Sequence, residues 1–242
     1  MNPVHVTTIS ALSDNYIYLI EANGRAAAID PAESDSVIEE LSMRALGLEF
    51  ILNTHHHFDH VSGNMELKRR TGAMIIGPDD DRIPGLDRKV GGGDTLDFNG
   101  VHIRVIETPG HGKNDISFHI PAMNDDSSLL FCGDTLFVCG CGRLLEGTAE
   151  EMWDSLNKVK GLPDDTLVYC GHEYTEENIR FALSVYPDDE HLLDRLSHAR
   201  ERLGRGEPTV PSRIGLEKQT NPFLRAANIR EFAELRRKKD VF

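Results

Sequence analysis

Four times in this chain a short apolar run ends and a histidine or aspartate follows, set among glycine, threonine or proline. Phe50–Asn53 leads into Thr54-His55-His56-His57-Phe58-Asp59-His60, and Val101–Glu107 into Thr108-Pro109-Gly110-His111. Leu129–Cys132 leads into Gly133-Asp134-Thr135, and Leu167–Cys170 into Gly171-His172. Apolar runs bounded by turn formers read as strands, and glycine after a strand lets the backbone turn sharply and present a side chain at the strand end. Val6–Ile9, Tyr16–Ile20, Ala26–Ile29, Ala73–Gly77 and Ile116–Ile120 read as further strands. Asp35–Leu46 and Ala149–Val159 carry apolar residues at helical spacing, the second with Thr148 and Glu151 placed as a capping box. Beyond Gly171 the texture changes: Glu176–Val185, His191–Leu203 and Asn228–Lys239 read as helices, and nothing there alternates like a strand. The expected architecture is α/β: two packed sheets with helices outside, over residues 1–174, followed by a helical unit at 175–242.

Charge narrows the function. Lys and Arg number 26 against 40 Asp and Glu, a formal net charge of −14. A chain so acidic is a poor partner for nucleic acid, which needs a basic face. No apolar stretch approaches the roughly 18 residues of a membrane helix, and Met1–Asn15 lacks the basic and apolar regions of a secretory signal. A cytoplasmic protein without membrane attachment is expected. Cys132, Cys139, Cys141 and Cys170, spread over a chain this long, do not form a disulfide framework.

The histidine cluster points to metal. In extended chain, residues two apart face the same way, so His55 and His57 point together while His56 points elsewhere. Asp59 and His60 follow at a turn or helix start, aimed at a neighbouring point. The expectation is a two-metal site with ions roughly 3.5–4 Å apart: His55, His57 and His111 on one ion, Asp59, His60 and His172 on the other, and Asp134 bridging. Imidazole and carboxylate suit zinc, iron(II) or manganese(II), with zinc the expected occupant. A structural zinc needs only four ligands, often cysteine, and this set exceeds it. His5, His102, His119, His191 and His198, isolated in sequence, read as surface or satisfied core residues.

With THHHFDH followed in order by His111, Asp134 and His172, the chain resembles the metallo-β-lactamase superfamily. Residues 131–147 (FCGDTLFVCGCGRLLEG), 171–182 (GHEYTEENIRFA), 207–212 (EPTVPS) and 236–240 (RRKKD) narrow the resemblance to the glyoxalase II, or hydroxyacylglutathione hydrolase, family, essentially end to end. The resemblance implies an αββα sandwich with a C-terminal helical domain. It implies hydrolysis of S-2-hydroxyacylglutathione thioesters, chiefly S-D-lactoylglutathione, to glutathione and a 2-hydroxy acid, D-lactate in that case, the last step of methylglyoxal detoxification. It carries the ligand roles to the same seven residues, and glutathione contacts to Arg143, Tyr174, Arg236 and Lys239. Two departures stand out. Asp115, in Gly112-Lys113-Asn114-Asp115, occupies the place of a non-ligand histidine, and Leu145 that of an aromatic residue in many relatives.

The expected nucleophile is a hydroxide bridging the two ions, with Asp59 and Asp134 as the carboxylates of the catalytic centre. A thiolate, of ordinary pKa near 8.5, leaves without an acid catalyst, as a thioesterase requires. Two divalent ions offset the carboxylates of Asp59 and Asp134, and Arg236 and Lys239, three apart on one helix face, can hold a substrate carboxylate. An acidic protein can therefore keep a local cationic pocket. A lactonase, lactamase or phosphodiesterase of the same superfamily, a one-iron glutathione persulfide dioxygenase, and a metal-buffering protein remain alternatives. The complete second ligand set counts against the one-iron reading. A monomer is expected.

Overall fold

The computed structural model describes residues 4–122 and 126–242, so the first three residues of the stretch read for a targeting signal lie outside it. The first sheet is six-stranded, in the order β1 to β6. Its strands are β1 (His5–Ala11), β2 (Asn15–Ala22), β3 (Arg25–Ile29), β4 (Gly47–Leu52), β5 (Met74–Gly77) and β6 (Arg88–Lys89), with α1 (Asp35–Met43), α2 (Phe58–Val61) and α3 (Asn64–Thr71) in the connections. Pairing is antiparallel from β1 to β3 and parallel from β3 to β6.

The second sheet uses β7 (Thr95–Phe98), β8 (Val101–Glu107), β9 (Ile116–Ile120) and β10 (Leu129–Phe131). A hairpin of β11 (Leu136–Phe137) and β12 (Gly140–Cys141) follows, then α4 (Ala149–Lys160) and β13 (Leu167–Tyr169). The remaining chain folds as α5 (Thr175–Val185), α6 (Glu190–Gly204), β14 (Ser212–Arg213), α7 (Ile214–Thr220), α8 (Pro222–Arg225) and α9 (Ile229–Asp240). The sheet order is β14-β13-β10-β9-β8-β7. β14 corrects the expectation that nothing past Gly171 is a strand. Two residues are too short to show alternation, and only their pairing with Leu167 and Val168 makes them one.

Strand β2 shows how the layers form. Tyr16, Tyr18 and Ile20 enter the core between the sheets, whereas Ile17 and Leu19 face a second core with Val37 and Leu41 of α1 and Leu67 of α3. Burial on both faces explains why this strand is a continuous apolar run rather than an alternating one. Across the sandwich, the Tyr18 ring centroid lies 5.5 Å from that of Phe131 and 5.1 Å from that of Tyr169. Helix α4 begins with the expected capping box: Thr148 Oγ1 accepts the Glu151 N–H at 3.2 Å, and the Glu151 carboxylate accepts the Thr148 N–H at 2.7 Å. Its Met152, Leu156 and Val159 join the inter-sheet cluster, as do Phe181, Phe223 and Phe232 of the C-terminal helices. One continuous core therefore ties the sandwich to the helices. Among the described residues no helix is long and apolar enough to cross a membrane.

Candidate binuclear metal centre

The segment after β4 is held from below. Asn53, fully buried, donates to the His60 carbonyl at 3.1 Å, and the Thr54 carbonyl accepts the Ile116 N–H at 3.0 Å, tying the first sheet's strand end to the second sheet. His57 stands at the N-cap of α2, so Asp59 and His60 occupy its first turn. Donor atoms of His55, His57 and His111 gather within 4.8 Å of one another, and so do those of Asp59, His60 and His172. Asp134 lies between the groups: Oδ2 is 3.4 Å from His111 Nε2 and 3.4 Å from His172 Nε2, and Oδ1 is 3.5 Å from His60 Nε2. All seven residues singled out in the sequence thus converge, in the two groups expected. His56 turns away, its ring nitrogens 3.4 Å from Asp80 and 3.5 Å from Glu146.

Glycine permits this density. A Cβ on Gly171 would sit 2.3 Å from Asp134 Oδ1 and 2.7 Å from His60 Cε1. Gly133, with φ at +47°, leaves no room either, since a Cβ there would meet Thr54 Oγ1 at 2.2 Å.

The outer hydrogen bonds settle which ring nitrogens are free. His172 Nδ1 donates to Asp14 at 2.8 Å, His111 Nδ1 to the Arg143 carbonyl at 2.8 Å, and His60 Nδ1 to Asp30 at 3.2 Å. The Thr54 hydroxyl donates to Asp30 at 2.6 Å, which leaves its oxygen to accept from His55 Nδ1 at 3.0 Å. Each of these rings therefore turns Nε2 inward, the arrangement metal-binding histidines adopt. Asp14, Asp30 and Thr54 went unread in the sequence. Asp30 follows β3 directly, the same strand-then-acid pattern as the others, and was legible on that ground.

The inward nitrogens crowd one another. His60 Nε2 and His172 Nε2 are 3.2 Å apart, and His111 Nε2 lies 3.0 Å from His57 Nδ1. His55 Nε2 and Asp134 Oδ1 are buried with no hydrogen-bond partner, which a protein rarely tolerates without a ligand. In the second group burial opposes charge, yet Asp134 and Asp59 raise the His172 pKa to about 11, and Asp134 with Asp30 raise that of His60. In the first, burial and neighbouring rings push His55 well down and His57 to about 4. His172 holds Asp59 well below the usual carboxylate range; His60 and His172 do so for Asp134 against its burial. The first group thus offers neutral imidazoles, and in the second a divalent ion would replace the protons that Asp59 and Asp134 favour on His172 and His60; imidazoles with ionised carboxylates are a donor set suited to two divalent ions.

A pocket opens from His111 and Asp134 and is lined further out by Arg143, Tyr174, Arg236 and Lys239, the four residues expected to touch substrate. Phe137, Cys141, Leu145, Glu177 and Asn178 also line it. Tyr174 stacks on His172 with planes 1° apart and centroids at 4.8 Å. Arg236 is buried and occupied: Nη1 donates to the Cys141 carbonyl at 2.8 Å, and Nη2 lies 3.0 Å from Asp240. Lys239 pairs with Glu177, and Arg143 is exposed with Nε 3.8 Å from Asp240.

Residues 12–172 match the family described as the metallo-beta-lactamase superfamily, and residues 173–242 that described as the hydroxyacylglutathione hydrolase C-terminus. A hydroxyacylglutathione hydrolase of Rhodospirillum rubrum is 46% identical over 260 aligned positions, covering 100% of both chains. The chain belongs to the hydroxyacylglutathione hydrolase family. The Rhizobium meliloti hydroxyacylglutathione hydrolase is likewise 46% identical, over 95% of each chain. The crystal structure of ETHE1 from Myxococcus xanthus superposes with a TM-score of 0.73 at 28% identity, over 96% of this chain and 90% of that one. Against this family background the two departures take physical form. Asp115 is buried and accepts the Gly112 N–H at 2.6 Å, which braces the loop after His111, and burial pushes its carboxyl up to about 7. Leu145 is exposed on the pocket wall.

Proposed function

We propose that this chain hydrolyses S-2-hydroxyacylglutathione thioesters, S-D-lactoylglutathione above all, to glutathione and a 2-hydroxy acid, D-lactate in that case. This is the step that ends methylglyoxal detoxification. The observation that supports the reading is one cavity that reaches the donor cluster at His111 and Asp134 and is lined as well by Arg143, Tyr174 and Lys239. Its outer wall comes from α5 and α9, within the segment matching the hydroxyacylglutathione hydrolase C-terminus.

His55, His57 and His111 would hold one ion, Asp59, His60 and His172 the other, with Asp134 shared; zinc is the proposed occupant, and iron or manganese suit the donors too. Bound there, divalent ions supply Lewis acidity toward the thioester carbonyl and a water acidic enough to act as hydroxide near neutral pH. The protein's own part is orientation. Asp14, Asp30 and Thr54 orient the rings, and Asn15 donates to Asp59 at 3.0 Å, which helps hold that carboxylate in place beside His172, the main cause of its low pKa. Asp59 and Asp134 are the carboxylates placed at the reacting centre. The leaving thiolate, of ordinary pKa near 8.5, needs no proton from the protein.

Farther out, Arg143 and Lys239 would take the carboxylates of glutathione and Tyr174 would flank its backbone. Arg236, already bonded to Cys141 and Asp240, would contribute charge and hold the β12 wall. Residues 1–174 form the proposed catalytic unit and 175–242 the substrate-binding unit, in a monomeric cytoplasmic enzyme. The test is metal analysis of the purified protein alongside hydrolysis of S-D-lactoylglutathione. Two bound metals with turnover of that thioester are expected; two bound metals without it would overturn the reading.

A further inference from the structure

Lys239 and Arg236 differ in what encloses them. Arg236 is bonded to backbone and to Asp240 on its own helix. The Lys239 ammonium lies 5.9 Å from the Phe181 ring centroid and 5.6 Å from that of Phe242, and its charged partner is Glu177 of α5. The exposures are lopsided: the Lys239 side chain is 8% exposed and that of Glu177 is 66% exposed. Glu177 is therefore the more solvent-reached member of a pair in which both residues line the pocket. Any anion approaching Lys239 meets a carboxylate already in place.

We propose that Glu177 is a resident counter-ion that the substrate's carboxylate must displace from Lys239, which makes Glu177 a specificity-determining residue. The inference rests on the reading of Lys239 as a glutathione contact. The exchange is chemically even, one carboxylate for another on the same ammonium. It is also cheap, because an ion pair with one member in solvent is weak. Once displaced, Glu177 is not stranded, since it stands in the first turn of α5, where the helix dipole favours an acid, and its side chain reaches water. Every glutathione thioester pays this exchange, and so does the glutathione product, which is thereby held less firmly. A neutral thioester makes no use of Lys239 and leaves the pair intact. The resting pocket thus keeps its buried ammonium compensated until an anion arrives.

The test compares the metal-loaded wild type with Glu177→Gln, Lys239→Ala and the double variant. The readouts are KM for S-D-lactoylglutathione, calorimetric binding of S-methylglutathione, and hydrolysis of a small neutral thioester. Glu177→Gln is expected to lower KM and tighten S-methylglutathione binding by roughly two- to fivefold, with the neutral thioester unaffected and no effect in the Lys239→Ala background. Unchanged or weakened binding in Glu177→Gln, with KM raised by Lys239→Ala, would overturn the exchange and leave the lysine contact standing. An unchanged KM in Lys239→Ala would remove the contact itself, and the exchange with it.

Discussion

Glu217 is a buried charge that braces the β11–β12 turn beside the pocket. It is fully buried on α7 and accepts from the Cys139 N–H at 2.8 Å and from Asn221 at 3.0 Å; Arg195 and Ser212 also donate to it. Arg195, on α6, has a side chain only 10% exposed. Cys139 lies in the turn between β11 and β12 with φ at +53°, and the strands on either side put Phe137 and Cys141 into the pocket. Glu217→Ala leaves a guanidinium buried without its counter-charge and orphans the Cys139 N–H. Breaking one side of such a pair costs about 3–5 kcal/mol, against a typical domain stability of about 5–15 kcal/mol. For a chain of this size that lowers Tm by roughly 6–20 °C. Replacing both partners, Arg195→Met with Glu217→Leu, removes the uncompensated charge and should recover more than half of the loss. Guanidinium denaturation of the metal-loaded protein measures both, and KM for S-D-lactoylglutathione should rise in the single variant as the hairpin turn loosens. A single variant within about 1 kcal/mol of wild type, or a double variant as unstable as the single, would refute the argument from buried charge.

Asp14→Ala removes the acceptor for His172 Nδ1; metal affinity, measured by competition with a chelator, should fall roughly 10- to 100-fold, while the far-ultraviolet circular dichroism stays unchanged. Gly171→Ala puts a methyl 2.3 Å from Asp134 Oδ1, so the purified variant should bind less than the full metal complement, read by elemental analysis. The raised Asp115 carboxyl gives a pH signature. Its folded pKa of about 7 stands above the unfolded value, so the folded state binds more protons in between. The stability it contributes is complete below the unfolded pKa and is lost as pH rises through about 7. Asp115→Asn keeps an oxygen to accept the Gly112 N–H and should narrow the difference in Tm between pH 5 and pH 8; an unaltered difference would count against the burial argument.

Much of the centre was readable because its ligands lie at strand ends, where local pattern and position coincide. Phe50–Asn53 announced a strand, and the period of an extended chain was enough to separate His55 and His57 from His56. The capping box at Thr148 was legible for the same reason, since its partners are three residues apart. What escaped was non-local. Asp14 meets His172 across 158 residues, and Glu177 meets Lys239 across 62. Strand β14 carries no alternation in two residues and exists through its partner β13. The family resemblance makes Arg236 half of a basic pair that binds an anion, but the fold buries it against the Cys141 carbonyl.

Residue chemistry and spacing alone pointed to which residues can offer metal donors, to a division into two groups, and to strands as what delivers them, because donor type and backbone period are local properties. Which ring nitrogens stay unprotonated, which cations remain open to an anion, and where the pocket is walled were decided only when distant segments packed together. Protonation and charge pairing depend on what lies within a few ångströms in space, and in this chain those neighbours come from an adjacent strand end (Asp30), from across the sandwich (Asp14 to His172) and from the C-terminal helices.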